Sequence, residues 1–432
     1  MKKWILLFII FCNLGILFSA PGELVWRYRT NGDIESSPVV SNNIVYFGSN
    51  DRNFYALNAQ NGNRIWSIQI GTAILSRPFV KDGIVYYAGS GPLFIVRAHN
   101  ANSGTMIWEY ETTGNNYSSP VVSNGILYVG SNDKYLYALN ASNGSLKWKY
   151  LSEAEVGSPC IWETQGLVFF GIRKHTEEMK SLYALDALTG RFSWSYDTRS
   201  YVYDPFFSNG NIFSASTSYG VFANNATNGS LIWSSYFGYP KYIFSNPVVS
   251  DGLVIFGCDD NIVHALDEKT GVQKWFYNTG SDIHSDPFVK DKVVYINSLN
   301  QYLYALDIKD GSLKWQYRVG IINESSPYVS NSIVYIGCSD DYLYAIETYG
   351  YTGFTDYKSA TKLPEKDFSA SPNPFSSRLS LSLPSSASIY SLTGQLIIKL
   401  DKGKHSLDTS KWREGVYIVK NGDETKRIVK VN

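Results

Sequence analysis

Ser118-Ser119-Pro120-Val121-Val122, then Gly125-Ile126-Leu127-Tyr128-Val129-Gly130, then Tyr135-Leu136-Tyr137-Ala138-Leu139, then Leu146-Lys147-Trp148-Lys149-Tyr150: this stretch decides the fold. Each run is short and rich in Val, Ile, Leu and Tyr, as strands are, and each is cut off by Gly, Asn, Asp or Ser. The turn before the last run, Asn143-Gly144, suits the positive φ of a tight hairpin. Four short strands in succession make one antiparallel unit.

That unit recurs along the chain. Trp26, Trp66, Trp108, Trp148, Trp194, Trp233, Trp275 and Trp315 are separated by 40, 42, 40, 46, 39, 42 and 40 residues. Pro38, Pro78, Pro120, Pro159, Pro205, Pro247, Pro287 and Pro327 give a second ruler of eight marks. Asn61-Gly62, Asn228-Gly229, Thr270-Gly271 and Asp310-Gly311 repeat the hairpin before the fourth strand. The residue two after Trp faces the same side of its strand, and it is Tyr at Tyr28, Tyr110, Tyr150, Tyr196, Tyr277 and Tyr317. These pairs are expected to fill the space between neighbouring units. A period near 40 means a propeller or a solenoid.

The pattern Ala-x-[Asn/Asp]-x-x-x-Gly-x-x-x-Trp occurs in seven complete copies, among them Ala138 to Trp148 and Ala184 to Trp194. It resembles the PQQ-like repeat of bacterial β-propellers, shared by quinoprotein dehydrogenases and the BamB-type lipoprotein of outer-membrane barrel assembly. The resemblance covers about residues 23–348 and implies an all-β fold, an eight-bladed β-propeller of four-stranded blades. WD40 repeats have a similar period, but no Trp-Asp dipeptide occurs in this chain. Trp26 sits on a fourth-strand motif with no strands before it, and Ala345-Ile346-Glu347 ends a third strand with no Trp after it. The two halves are therefore expected to complete one blade, with the N-terminal strand hiding an edge that would otherwise invite aggregation.

Residues outside the repeats read differently. Met1-Lys2-Lys3 followed by the apolar run from Trp4 to Phe18 is a secretory signal peptide, assigned to 1–20 with its cleavage site open. Cys12 lies inside that run behind Phe11, unlike a lipid-acceptor cysteine. Residues 349–365 form a linker. Four ordered blocks follow: Ser371-Pro372-Asn373-Pro374-Phe375, Ile389 to Gln395, Gly415 to Val419 and Lys426 to Lys430. They resemble a type A sorting domain of the type IX secretion system, over about 366–432. That resemblance implies a small C-terminal β-sandwich, a partnership with the type IX machinery, and a secreted or outer-membrane surface-attached protein that travels by way of the periplasm. No transmembrane segment is expected in the mature chain.

Composition narrows the chemistry. Lys plus Arg and Asp plus Glu are equal at 38 each, so no field points to nucleic acid or an anionic membrane. Cys160, Cys258 and Cys338 have no metal or redox spacing, and two of them share one repeat slot, which favours buried structural side chains. His99, His175, His264, His284 and His405 form no metal-ligand motif, and no nucleophile elbow or phosphate loop is present. Asp259-Asp260 and Asp340-Asp341 recur at the same turn as Asn50-Asp51 and Asn132-Asp133, so turn chemistry accounts for them better than a calcium loop. No metal or catalytic residue is assigned.

Two alternatives follow from the resemblance. A quinoprotein dehydrogenase would bind pyrroloquinoline quinone (PQQ) and calcium, but no two Cys are adjacent here and the blades are compact. A BamB-like assembly scaffold would be a periplasmic lipoprotein. The leading expectation is a binding or scaffold module for a protein, peptide or glycan, without a cofactor. Strand directions put the connections between blades on the ligand face. The residues three before each Pro are expected to ring the channel mouth: Glu35, Leu75, Tyr117, Val156, Val202, Phe244, His284 and Glu324. Arg77, the lone cation directly before a Pro, is opposite in sign to Asp204 and Asp286 at the equivalent positions, and the loop from Arg173 to Lys180 adds charge on the same face. Glu35, Leu75, Arg77, Tyr117, His284 and Glu324 are the candidate ligand contacts.

Overall fold

The computed structural model describes residues 22–173, 180–217, 220–237, 242–321 and 325–348, and further on 369–371, 378–383, 386–391, 395–413, 415–421 and 424–430. The signal segment, the linker, Glu324 and most of the Arg173 to Lys180 loop lie outside the described residues. Contacts divide the chain at Thr348, with Gly22–Thr348 one unit and the C-terminal strands in another.

The first unit holds eight four-stranded antiparallel sheets. Seven are sequential. In blade one the strands are Val39–Ser41, Ile44–Gly48, Asn53–Asn58 and Arg64–Gln69. The quoted stretch is blade three, Val121–Ser123, Ile126–Gly130, Tyr135–Asn140 and Leu146–Leu151. In blade eight, Leu24–Arg29 pairs with Tyr342–Glu347, beside Ile333–Gly337 and Tyr328–Ser330. The innermost strand of each blade touches that of the next, and the last touches the first. Ser326 N–H donates to Ser37 Oγ at 2.9 Å across that final junction.

What fastens one blade to the next is the repeated Trp. Each indole N–H donates to a carbonyl of the following blade, as from Trp66 to Ala101 (3.0 Å), Trp108 to Ala141 (2.9 Å) and Trp275 to Ile308 (2.8 Å). The indole face lies on the turn glycine of that same following blade. A Cβ on Gly144, whose φ is +74°, would stand 2.7 Å from the Trp108 ring. Ala, Gly and Trp therefore repeat together because each blade's turn is the seat for its predecessor's indole. Closure obeys the same rule at both seams. Trp26 donates to Ala59 and covers Gly62. Trp315 donates to Thr348, and Gly22, at φ +81°, stands in for the missing turn glycine. The Tyr two after Trp also fills the junction, with Tyr28 against Tyr55 and Tyr110 against Tyr137 at ring separations of 5.8 and 5.7 Å.

The C-terminal unit has two sheets. Ser369–Ser371, Arg378–Leu383 and Gly403–Asp408 form one; Leu396–Leu400, Ala387–Ser391, Gly415–Asn421 and Glu424–Lys430 form the other. Leu379 and Leu381 from the first share a buried core with Ile389, Tyr417, Val419 and Ile428 from the second. No helix among the described residues is long and apolar enough to cross a membrane.

Candidate functional site

The sequence before each Pro builds the axial shaft. A Pro lacks an N–H, so the residue ahead of it is held extended and its own N–H points sideways to the next blade. There it meets a side-chain acceptor from the equivalent residue. Arg77 N–H donates to Ser119 Oγ, Ser119 to Ser158 Oγ, Ser158 to Asp204 Oδ1 and Asp204 to Asn246 Oδ1. The relay continues from Asn246 to Asp286 Oδ1, Asp286 to Ser326 Oγ and Ser326 to Ser37 Oγ. Seven of the eight links are made. Arg77, whose side chain carries no acceptor, cannot supply the eighth. The short polar residues before Pro are thus hoop bonds, and Arg77 is the gap in the hoop.

The shaft encloses a cavity of about 960 Å³ that the hoop encircles. Glu35, Leu75, Arg77, Tyr117 and His284 line it, with Arg173, Tyr203, Phe244, Asp204 and Asp286. Glu324 lies outside the described residues. Val156 and Val202 do not line the cavity: they are 1% and 0% exposed and bridge to Ile172 and Ser216. The cause is a one-residue shortening. Buried Ile34, Ile74, Ile243 and Ile283 stand four before their Pro, whereas Val156 and Val202 fill that anchor slot three before theirs. The residue after the anchor is Gly157 in blade four, which is buried, and Tyr203 in blade five, which lines the cavity. At Gly157 a Cβ would sit 1.9 Å from the Tyr203 carbonyl oxygen, so no side chain fits.

Charge and aromatic character are unevenly spread. The Arg173 guanidinium lies 5.9 Å from the Tyr117 ring and 5.3 Å from the Tyr203 ring, with its Nε buried and without a hydrogen-bond partner. Tyr203 packs on Phe244 at 6.3 Å and Phe244 on His284 at 4.9 Å. These contacts run unbroken along one side of the mouth, from blade three to blade seven. Burial, together with the charge on Asp204, pushes the Asp286 carboxyl up to about 6, against the pull of Asn246 and Arg77.

Two clusters outside the hoop carry metal-ligand chemistry that the sequence analysis did not assign. Cys258, Asp260 and His264 form one, and Asp259, Asp282 and His284 the other. The first is a repeat feature. Asp51, Asp133 and Asp340 accept from Tyr55, Tyr137 and Tyr344 hydroxyls, and cap the turn N–H two residues on. Asp260 caps Ile262 N–H likewise, and His264 takes the Tyr place against it at 3.2 Å. Turn chemistry therefore describes Asp260 and Asp340, but Asp259 points elsewhere: its Oδ1 lies 3.1 Å from His284 Nε2. Burial, aided by the charge of Asp282, raises the Asp259 carboxyl against the opposing pull of His284. Cys258 and Cys338 are fully buried, and burial pushes the Cys258 thiol up to about 12.

Comparison with known proteins places this architecture. A family model described as outer membrane protein assembly factor BamB matches residues 16–77, 68–168, 178–282 and 243–351. A model described as secretion system C-terminal sorting domain matches 369–431. No curated protein matches the chain. Among solved structures, the computationally designed Ika8 protein is similar at 17% identity and TM-score 0.66, over 76% of this chain and 99% of that one. BamB from Moraxella catarrhalis is similar at 14% identity and TM-score 0.62, over 76% and 99%. Quinohemoprotein alcohol dehydrogenase ADHIIG from Pseudomonas putida HK5 is similar at 12% and TM-score 0.64, over 82% and 79%. At such identities the likeness speaks for the propeller fold alone. The repeats and the matched residues together make this chain a member of the BamB-type, PQQ-like-repeat family of β-propellers, carrying a type IX secretion C-terminal sorting domain.

Proposed function

We propose that this protein is a secreted or cell-surface binding module whose axial cavity takes up a segment of a partner protein. The observation that carries the reading is the contrast between hoop and lining. The backbone repeats around the shaft, while the lining side chains run through Glu35, Leu75, Tyr117, Tyr203, Phe244 and His284. Varied side chains on a rigid scaffold suit recognition. An aromatic and guanidinium rim beside a ring holding Arg77, Asp204 and Asp286 matches a peptide, which offers apolar groups and both signs of charge. The sorting domain supports delivery to the surface or medium, with Met1 to Ala20 as the export signal. No catalytic step is assigned. The adjacent cysteines and chain insertions that would support a quinone cofactor are absent from the sequence.

The test is affinity capture of surface and medium proteins by the purified chain and by an Arg77→Ala, Tyr117→Ala, His284→Ala triple variant. Capture of a defined protein is expected to be lost in the triple variant at near-unchanged thermal stability. Capture unchanged there, but lost on substituting Gln60, Lys269 and Lys309 in the turns of the opposite face, would refute it.

A further inference from the structure

The propeller repeats eight times, so a junction that breaks the pattern stands out. Three positions define a mouth junction among the described residues: one in the loop between a blade's second and third strands, and those on either side of the next blade's buried anchor. Between blades one and two they are Asn50, Ala73 and Leu75; between blades five and six they are Thr217, Tyr242 and Phe244. Between blades six and seven they are Asp259, Asp282 and His284, whose ligand atoms lie within 4.8 Å of one another. Among the described residues, no other junction has a metal-ligating side chain at all three positions.

We infer that Asp259, Asp282 and His284 form a binding site for a divalent transition-metal ion at the mouth of the cavity. Two carboxylates side by side repel each other, and a single imidazole leaves that repulsion only half answered. Asp259 Oδ1 is shielded from solvent and has no hydrogen bond aligned on it, although His284 Nε2 is 3.1 Å away. A cation answers both conditions. Ligand atoms about 2.1 Å from a tetrahedral Zn²⁺ lie roughly 3.4 Å apart, within reach of small side-chain rotations here. One nitrogen and two carboxylates suit Zn²⁺ or Mn²⁺ and supply too few oxygens for Ca²⁺. Three protein ligands leave a coordination position open, and His284 also lines the cavity, so that position is available to a carboxylate or carbonyl of whatever enters.

The neighbouring cluster is the poorer site. Both nitrogens of His264 are engaged, by Gln273 and Asp260, and the Cys258 thiol is buried and directed at the Tyr242 carbonyl at 3.5 Å.

Direct Zn²⁺ titration of the full chain by calorimetry tests the inference without reference to any partner. The expected result is one Zn²⁺ per chain, not displaced by excess Ca²⁺, with affinity lowered at least tenfold in both Asp282→Asn and His284→Gln. Thermal melts in chelator verify that the variants fold, and Cys258→Ser is expected to bind as the unaltered chain does. No Zn²⁺ uptake, undiminished uptake by Asp282→Asn, or loss confined to Cys258→Ser would overturn it. Zn²⁺ binding without partner capture would leave the metal site standing and sink only the peptide reading.

Discussion

Gly144 and Gly125 lie in the same blade with almost the same φ, +74° and +71°, yet a Cβ on Gly144 would meet the Trp108 ring at 2.7 Å and one on Gly125 would meet nothing within 4 Å. Exchanging each for Ala therefore separates backbone strain from the clasp between blades. A left-handed alanine costs roughly 1–2 kcal/mol, offset in part by about 0.4–1 kcal/mol from the stiffer unfolded chain. Gly125→Ala is thus expected to destabilise by about 1 kcal/mol. Gly144→Ala carries the same strain and also displaces the indole. That forfeits the bond from Trp108 Nε1 to the Ala141 carbonyl (2.9 Å), about 1 kcal/mol, and overpacks the junction by about 1–2 kcal/mol. Its total is about 3–4 kcal/mol. The assay is urea unfolding of both variants at matched slopes, repeated in a Trp108→Ala background, where the gap between them is expected to close. Equal midpoints for the two single variants, or a gap that persists without the indole, would refute the clasp.

Other outcomes follow from the shaft and the tail. Arg77→Ser supplies the missing acceptor for Ser37 N–H and is expected to stabilise the ring by about 0.5–1 kcal/mol, read as a higher unfolding midpoint, while weakening partner capture. Asp286 has its carboxyl raised from 3.8 to about 6, so the folded state holds its proton longer than the unfolded chain does. Its contribution favours folding at acid pH and is lost as pH rises from about 4 to about 6. Asp286→Asn is therefore expected to raise the melting temperature at pH 7 and leave it unchanged at pH 4, and an unchanged value at both would count against the shift. Truncation at Pro364 is expected to leave a folded propeller in the periplasm, and normal appearance of that protein on the surface would contradict the sorting assignment.

Much of this was legible from the chain. The Trp, Pro and Gly rulers define the blades because a propeller restates one local solution, and the orphan strand at Trp26 announces closure. What the rulers conceal is ownership. Gly144 stands four residues before Trp148, yet the indole it seats is Trp108, and a repeat that restates both residues in every blade does not say which pair touches. The residues three before Pro line the cavity at Glu35, Leu75, Tyr117, Phe244 and His284 but not at Val156 and Val202, where the lead-in is one residue shorter and burial, not distance from Pro, sets the register. Asp259 was read as its neighbour Asp260 is, because a turn dipeptide does not reveal which carboxylate caps the turn and which reaches across to the next blade.

The strand that shuts the ring also imposes a schedule. Gly22 N–H reaches the Glu347 carbonyl and Glu347 N–H the Glu23 carbonyl, so the first residues of the propeller find their partners only when the last have been made. At roughly 5–20 residues per second, the leading strand waits on the order of tens of seconds for its mate. A chain cut short before Tyr342 offers Leu24–Arg29 no strand to pair with, so its ring cannot shut.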